Sequence, residues 1–434
     1  MTRWPDPILR AGLWAYAALW WLLLPVIWIY LRKRGRADPM YAAKMGERFG
    51  RATSHVKNPV WVHAVSMGEM RSAAPLIRAL LDQGDHIVTT HFTPAGRREA
   101  ERSFGPEIAS GHLQVVWIPL EFGFAYRRFL HTFKPRLGLV MEIEVWPMMI
   151  AQARKHGAPL YMCNAQYPQK SFDKDKRGLG LRARLFRGFA GGFVKSADQA
   201  SRFAAAGLPN IRVTGELRFD QPIPQNQLDA AALLRDGLAQ GREVITLTSV
   251  VEGEDSIYID MIKSAPNKLF IYVPRAPERF AQVGDMIAAA GLNVMRRSKV
   301  LDTNLRSDTP PTCQVLLGDS MGEMYFYLGL CDRAIVGGGF VAKGAHNIIE
   351  PLALRKPVVV GPFTWTILYP VVEAIAAGIC TVTQTPADLH RAMTHPTMVT
   401  DAQISAFYAD HAGATARTLT AINALHPRGQ QPLL

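Results

Sequence analysis

The sequence predicts an α/β protein with two Rossmann-like, doubly wound domains that face a cleft, preceded by an N-terminal membrane anchor helix. A chain of 434 residues is long enough to bury two ordinary hydrophobic cores. Short apolar strands alternate with stretches of helical length, which is the pattern of βαβ units in a parallel sheet. The alternation stops once, in the polar, proline-containing residues 219–228, and then resumes.

The first element is an apolar segment that carries no charged residue from Ala11 to Leu31. About 20 apolar residues are needed to cross the hydrocarbon core of a bilayer. Four basic residues follow between positions 32 and 36 and only two precede the segment, so the positive-inside rule places the rest of the chain in the cytoplasm. We therefore expect a single retained membrane anchor, with a helix lying in the membrane interface as the alternative.

The formal net charge of +13 favours an anionic partner. The neighbouring apolar segment makes an anionic membrane surface the expected partner, and the absence of a nucleic-acid recognition motif argues against nucleic acid. The four cysteines are scattered without CxxC spacing, which indicates neither a zinc site nor a disulfide framework.

The strand pattern sets the expected domain boundaries. Seven strands are predicted in the first domain, at 60–62, 87–89, 115–117, 137–140, 160–162, 192–194 and 211–213. Six are predicted in the second domain, at 244–247, 269–273, 293–295, 315–317, 334–336 and 358–360. The expected division is an anchor with its basic flank at 1–36, a first domain at 37–220, a linker at 221–228, a second domain at 229–405, and a C-terminal helix and tail at 406–434 that packs back on the first domain.

A glycine-rich stretch at 337–344 follows the apolar strand at 334–336 and is expected to lead into a helix. Glycines let a backbone approach an anion closely, and free amides at a helix start carry partial positive charge. Asn347 and Glu350 are three residues apart and are predicted to share a helix face. The Glu350 carboxylate can accept hydrogen bonds from ribose hydroxyls, while His346 or Asn347 binds nearby oxygens. The stretch predicts a nucleotide site, and the alternative is a turn that only redirects the chain.

A carboxylate is expected at the carboxyl edge of the first sheet. Glu69 follows the strand at 60–62 and a turn that contains Ser66 and Gly68, and it begins the next helix. A carboxylate there can serve as a general base for a sugar hydroxyl, or it can simply be a favourable first-turn charge.

A second acidic pair follows the strand at 137–140. Glu142 and Glu144 have the period-two spacing that places two side chains on one side of a strand end. Neighbouring carboxylates can have a raised pKa, bind a metal or orient other residues, and we favour orientation. His91 is expected to be a loop histidine beside the turn at 93–96 rather than a catalytic group.

Two further strand ends in the second domain carry candidate ligand contacts. Arg275 follows the strand at 269–273, where its guanidinium can bind a phosphate bidentately, whereas Arg279 is expected to pair on the surface. The segment after the strand at 315–317 suits a base or ribose, unless its aspartate only caps the next helix; its candidate residues are Gly318, Asp319, Met321 and Gly322.

Together these segments resemble the Kdo (3-deoxy-D-manno-octulosonic acid) transferases, B-type glycosyltransferases of lipopolysaccharide biosynthesis. The resemblance spans most of the chain and rests on several motifs in fixed order, at 41–50, 63–69, 142–147, 214–220, 274–280, 318–324 and 344–351. It implies that Glu69 is the base and that the donor CMP-Kdo is contacted by Arg275, Met321, Asn347 and Glu350. It also implies that transfer requires neither a metal nor another cofactor.

The function implied is inverting transfer of Kdo from CMP-Kdo to a lipid A precursor, a phosphorylated glycolipid, by an enzyme anchored in the inner membrane with cytoplasmic catalytic domains. The chain departs from the family pattern around the donor at Gln166 with Tyr167, at Val250 with Val251, at Ala276, and at Phe363 with Trp365 and Thr366. Because most of these changes remove polar groups, two alternatives stay open. One is a paralogue that uses a different nucleotide sugar, and the other is a non-catalytic copy that binds lipid or partner proteins.

Overall fold

The computed structural model describes residues 4–177, 179–395 and 398–427, so Arg3 and the part of the predicted tail at 428–434 lie outside the described residues. The chain divides into two compact units. The first comprises Met1–Gln221 with Ala412–Leu434, and the second comprises Pro222–His411.

The first unit alternates strands and helices after a long N-terminal helix. Its elements up to the second unit are α1 (Pro7–Ala37), α2 (Met45–Arg48), β1 (Val60–His63), α3 (Met67–Asp82), β2 (Ile87–His91), α4 (Pro94–Ser103), α5 (Gly105–Ala109), β3 (Leu113–Trp117), α6 (Gly123–Phe133), β4 (Leu137–Met141), α7 (Pro147–Lys155), β5 (Leu160–Ala165), α8 (Gln169–Asp175), α9 (Leu181–Phe186), β6 (Gly191–Val194), α10 (Ala197–Ala205) and β7 (Ile211–Val213).

The seven strands of this unit form one parallel sheet in the order β3-β2-β1-β4-β5-β6-β7. Alternate residues of a strand enter separate cores on the two faces of the sheet, as Trp61 and Val62 of β1 do. Because all strands run the same way, the turns after β1, β2, β4 and β5 meet at one edge.

The second unit repeats this plan. Its elements are α11 (Gln225–Ala239), β8 (Val244–Val250), α12 (Asp255–Lys263), β9 (Leu269–Pro274), α13 (Phe280–Ala289), β10 (Val294–Arg296), α14 (Arg297–Val300), β11 (Val315–Leu317), α15 (Met324–Leu330), β12 (Arg333–Val336), α16 (Ile349–Ala353), β13 (Val358–Val360), α17 (Leu368–Ala376), β14 (Cys380–Val382), α18 (Pro386–Thr394) and α19 (Asp401–His411). The last helix, α20 (Ala414–Leu425), belongs to the first unit and packs against α3.

The second sheet is also parallel and seven-stranded, in the order β10-β11-β9-β8-β12-β13-β14. The predicted α/β class is confirmed, and each of the thirteen predicted strands is present. Sequence reasoning missed β14, an edge strand in which Thr381 is exposed, so its residues do not form an apolar run. The helix α11 begins at Gln225, inside the segment expected to be a linker.

The N-terminal helix α1 is long and apolar enough to cross a membrane. Asp6 caps its start by accepting a hydrogen bond from the Leu9 amide, and its last turn carries Arg34 and Arg36. Basic side chains in this position are favourable at the negative end of the helix dipole.

Candidate active site

Glu69 lies in the first turn of α3, at the carboxyl edge of the first sheet. Ser66 caps this helix with its hydroxyl, which accepts a hydrogen bond from the Glu69 amide and donates one to Glu69 Oε1 at 2.8 Å. The amide of Val65 donates to Glu69 Oε2 at 2.8 Å. The carboxylate is therefore held in one orientation by the turn that the sequence predicted.

The environment of Glu69 favours its neutral form. Burial raises the pKa of its carboxyl to about 7, against the lowering effect of the hydrogen bonds from Val65 and Ser66. The charges of Glu144 and Glu142 add to the rise. A carboxylate whose pKa lies close to neutral pH combines a large ionised fraction with a strong tendency to take a proton, which are the two properties that a general base needs.

Glu142 is bound by a buried lysine. Lys195 Nζ lies 2.9 Å from Glu142 Oε1 and 2.7 Å from Glu216 Oε2, and Asn164 donates to both carboxylates. Lys195 is 2% exposed and Glu216 is 1% exposed. Although burial opposes it, the charges of Lys195 and Arg218 hold the pKa of Glu216 below its usual range. Lys195 and Asn164 thus hold the Glu142 carboxylate in one orientation.

This network reaches the helix that carries Glu69. Arg218 Nε donates to Ser72 Oγ at 2.7 Å, and Ser72 Oγ donates to the Gly68 carbonyl at 3.0 Å. Arg218 also lies 3.8 Å from Glu142. Sequence reasoning did not identify Lys195 as a site residue, because it is distant in sequence from both carboxylates that it joins. Glu216 and Arg218 could have been found from the sequence only as the charged residues of the motif at 214–220.

Glu144 has a different partner from Glu142, and the strand-spacing argument for the pair is wrong. The strand β4 ends at Met141, so both residues lie in the following turn, where Glu142 has a φ of +57°. Trp146 Nε1 donates to Glu144 Oε2 at 2.7 Å. Burial raises the pKa of Glu144, and the Trp146 bond lowers it in part.

His91 is a strand residue and not a loop residue. It ends β2 and is fully buried, with Nδ1 2.8 Å from the Ala64 carbonyl and Nε2 3.0 Å from Thr89 Oγ1. Burial lowers its pKa to about 3. It thus ties β2 to the chain segment before Ser66.

In the second unit, the glycine-rich turn is organised by a buried carboxylate. The amides of Gly338 and Phe340 donate to Glu254 at 2.8 and 3.0 Å. Within the glycine-rich turn these two amides therefore bind the Glu254 side chain. Burial raises the pKa of Glu254, and the backbone hydrogen bonds lower it in part.

The glycines of this turn are needed for close packing of backbone on backbone. A methyl group at Gly339 would lie 2.6 Å from the Gly361 nitrogen, and one at Gly337 would lie 2.7 Å from the Ser249 carbonyl. Gly344 has a φ of +89° and no space for a side chain beside Thr366, so a larger residue would be strained there for two reasons.

Asn347 and Glu350 do not share a helix face, because α16 begins only at Ile349. Asn347 precedes this short helix and accepts a hydrogen bond from the Ile349 amide at 3.0 Å. Glu350 lies in the first turn and is partly buried. Burial and the charge of Arg275 lower the pKa of His346 to about 4, so this histidine is neutral at physiological pH.

Asp319 does not cap the helix that follows it. Its two carboxylate oxygens accept hydrogen bonds from the Ser298 amide and hydroxyl, at 2.8 and 2.6 Å, and so support the start of α14. Gly318 packs against the Tyr327 ring, Gly322 has a φ of +84° and Met321 is exposed.

Arg275 follows β9 and has an exposed side chain, and its amide donates to the Val250 carbonyl at 2.9 Å. Arg279, expected on the surface, instead forms a largely buried pair with Asp255 at 2.5 Å. Asp255 also accepts a hydrogen bond from Tyr272, so this carboxylate joins the arginine to the end of β9.

The described residues include no group of three or more histidine, cysteine, aspartate and glutamate side chains placed to hold a metal ion. All four cysteines are buried and free.

The chain is similar in sequence and in fold to known proteins. Residues 43–221 match the family model for 3-deoxy-D-manno-octulosonic-acid transferase (kdotransferase). A 3-deoxy-D-manno-octulosonic acid transferase of Bordetella pertussis is 38% identical over 92% of this chain and 96% of its own. One from Haemophilus influenzae is 31% identical over 87% of this chain and 89% of its own. The fold is similar to that of a UDP-GlcNAc 2-epimerase from Neisseria meningitidis, with a TM-score of 0.54 and 13% identity over 85% of this chain and 99% of that one.

Proposed function

Because the chain belongs to the family of 3-deoxy-D-manno-octulosonic acid (Kdo) transferases and is a glycosyltransferase, we propose that it transfers Kdo from CMP-Kdo to a lipid A precursor at the inner membrane, with inversion at the anomeric carbon. The observation that carries the proposal is Glu69, a fixed carboxylate at a sheet edge with a pKa of about 7. The net charge of +13 suits a phosphorylated glycolipid acceptor on an anionic membrane.

In the proposed reaction, the Glu69 carboxylate takes the proton of an acceptor hydroxyl. The hydroxyl oxygen then bonds to the anomeric carbon of Kdo, and the bond from that carbon to the CMP phosphate oxygen breaks. CMP leaves with the electron pair of the broken bond. A single displacement needs one base and inverts configuration, since the phosphate is a stable leaving group. Ser66 and Gly68 position the base and the start of its helix, and Glu142 and Glu144 raise its pKa.

The donor is assigned to the second unit. Arg275 binds the phosphate and Glu350 binds the ribose, with Asn347 and His346 at neighbouring oxygens. A neutral His346 can both donate and accept a hydrogen bond. The other proposed donor contacts are the backbone of Gly318, Asp319, Gly322 and Gly344 and the side chain of Met321. The Asp319 side chain positions this loop, because both of its carboxylate oxygens bind Ser298.

We further propose that transfer needs no metal or other cofactor, as the family resemblance implies. Addition of EDTA to purified enzyme is expected to leave the transfer rate unchanged, and a loss of activity that Mg²⁺ restores would contradict this.

Substitution of the base tests the mechanism. Glu69→Gln removes the proton acceptor but keeps the size of the side chain, so we expect transfer from radiolabelled CMP-Kdo to be lost while CMP still raises the melting temperature. Asp82→Asn is the matched control, since Asp82 is exposed at the other end of α3 and should retain activity. Transfer by Glu69→Gln at a comparable rate would remove Glu69 from the mechanism.

A second candidate is transfer from a different nucleotide sugar. Trp365 is 43% exposed and Phe363 is 36% exposed, their ring centroids are 5.2 Å apart, and Trp365 lies beside Gly344. Exposed aromatic rings next to a donor contact offer a stacking surface where the family has polar groups. Thermal-shift measurements with CMP, UDP and GDP distinguish the candidates, since the first predicts stabilisation by CMP above the others.

A further inference from the structure

The helix α1 contacts the first unit along one face over almost its whole length. Leu9 and Leu31 are 2% and 3% exposed, and the residues between them that pack on the unit recur every three or four positions. They are Leu13, Tyr16, Ala17, Trp20, Leu24 and Ile27. This is the period of one helix face, so the helix lies along the unit and does not leave it.

The N-terminal end of α1 is fixed by polar contacts. Asp6 forms an ion pair with Arg184 at 2.6 Å, and the Trp4 indole donates to the Arg184 carbonyl at 2.9 Å. The Arg154 guanidinium lies over the Trp4 ring at 5.1 Å. These contacts need the start of α1 to be on the same side of any membrane as α7 and α9.

The middle and the C-terminal end are also fixed. The ring of Trp20 meets that of Phe122 edge-on at 5.8 Å, and Trp21 stacks on Phe124 at 5.8 Å. Asp38, which directly follows α1, pairs with Arg98 at 2.5 Å. The contacts thus extend through the segment that would lie at the centre of a bilayer if the helix crossed it.

The length of the contact face of α1 decides whether the helix crosses the membrane or lies in its interface. Leu9 and Leu31 are 22 positions apart, or about 33 Å at the helical rise, which is the thickness of a bilayer core. If α1 crossed a membrane, the first unit would have to accompany it, with Arg154 and Arg184 in hydrocarbon or on the far side. Placing charged side chains there is costly.

The opposite face of α1 is apolar and exposed. Apart from Trp21, which borders Phe122 and Phe124, its large exposed side chains are Ile8, Trp14, Leu19, Leu22, Leu23, Val26, Trp28, Ile29 and Tyr30. Exposed basic residues follow at Arg32, Lys33 and Arg36. An apolar face flanked by positive charge fits the boundary between acyl chains and anionic headgroups.

We propose that α1 is an interfacial helix, which inserts its outer face into one anionic leaflet and keeps both of its ends on the cytoplasmic side. This inference deepens the membrane attachment in the proposed function and does not depend on the donor or the chemistry. Phe122 and Phe124, which contact α1, follow β3 at the carboxyl edge of the first sheet, where Glu69 also lies. Insertion of α1 into the leaflet therefore brings the membrane that holds the acceptor close to this edge.

Crosslinking in isolated membranes tests the placement. In the variant Asp6→Cys with Arg184→Cys, a short bifunctional maleimide should join the two residues, as judged by altered gel mobility. The matched control is Asp38→Cys with Arg98→Cys at the other end of α1, which crosslinks in either orientation. The native cysteines are all buried and contribute little background. Crosslinking of the control pair alone would overturn the proposal.

A single variant keeps the test decisive if the paired variant does not accumulate. Pro7→Cys lies at an exposed position and should react with a membrane-impermeant maleimide in everted vesicles and not in intact spheroplasts. Labelling in spheroplasts would place the N-terminal end in the periplasm and overturn the proposal. Neither readout measures transfer, so failure of the proposed chemistry would leave both results unchanged.

The lipid is tested by flotation of the purified protein with vesicles. Binding to vesicles that contain phosphatidylglycerol should exceed binding to phosphatidylcholine vesicles, and Arg32→Glu with Lys33→Glu should weaken the former by about tenfold or more. Equal binding of both proteins to both vesicles would overturn the choice of an anionic leaflet.

Discussion

Removing the Ser66 hydroxyl is expected to move the acidic limb of the pH–rate profile. This hydroxyl donates to Glu69 Oε1 at 2.8 Å and so stabilises the ionised form, whose pKa is about 7. A hydrogen bond to a charged group contributes about 1.5 to 3 kcal/mol, and each pKa unit corresponds to about 1.4 kcal/mol. In Ser66→Ala the apparent pKa of the acidic limb should therefore rise from about 7 to between about 8 and 9.

The assay is kcat/KM for transfer measured from pH 5.5 to 9.5, since this quantity reports the free enzyme's essential groups. At pH 7 the value of kcat/KM for Ser66→Ala should be about 5- to 50-fold below that of wild type, and it should recover towards pH 9.5. Ser66 also caps α3, so a stability control is needed. Ser196→Ala removes the equivalent cap of α10, costs about 1 kcal/mol, and should leave the limb at about 7. An unshifted limb in Ser66→Ala, or an equal shift in Ser196→Ala, would refute the assignment of Glu69 as the base.

Three further results are expected. Burial raises the pKa of Glu69 from 4.5 to about 7, so the wild-type free energy of unfolding should fall as the pH rises through that interval. Glu69→Gln carries no such charge, and in denaturant unfolding its stability relative to wild type should increase by at most about 3 kcal/mol between pH 4.5 and pH 8; a constant difference would contradict this. Lys195→Met leaves Glu142 and Glu216 without their buried cation and should cost about 3 to 5 kcal/mol of unfolding free energy, whereas a loss below about 1 kcal/mol would show that Lys195 is not needed to compensate them. Gly339→Ala places a methyl group 2.6 Å from the Gly361 nitrogen and should destabilise by about 1 to 3 kcal/mol in thermal melts, while Gly105→Ala, where a methyl group meets nothing within 4 Å, should melt as wild type.

Strands were the most predictable part of the fold. Each predicted run, such as 244–247 or 358–360, is short and apolar because a strand of a covered parallel sheet is buried on both faces. The edge strand β14 lacks that double burial, with Thr381 exposed, and so it has no such signature. The start of α16 was misplaced because Asn347 lies two residues before this short helix, where its side chain accepts a hydrogen bond from the Ile349 amide.

The sequence predicted where candidate site residues lie along the strands and turns, but it did not predict which residues contact one another. Placing Glu69 required only a strand followed by a turn and a helix start. The pairing of Lys195 with Glu142 and Glu216 joins residues 53 and 21 positions apart, and no local pattern indicates it. The use of the Gly338 amide by Glu254 is a similar case, since it joins two turns of the second sheet.

The sequence by itself determined the α/β class, the alternation of strands and helices, and the carboxyl-edge position of Glu69, because these depend on the periodicity and turn chemistry of neighbouring residues. Only the tertiary structure decided which amides and cations the carboxylates bind, why Gly339 must be glycine, and that α1 packs along the first unit from Leu9 to Leu31. Those features depend on groups far apart in the chain, which packing alone brings within a few ångströms of one another.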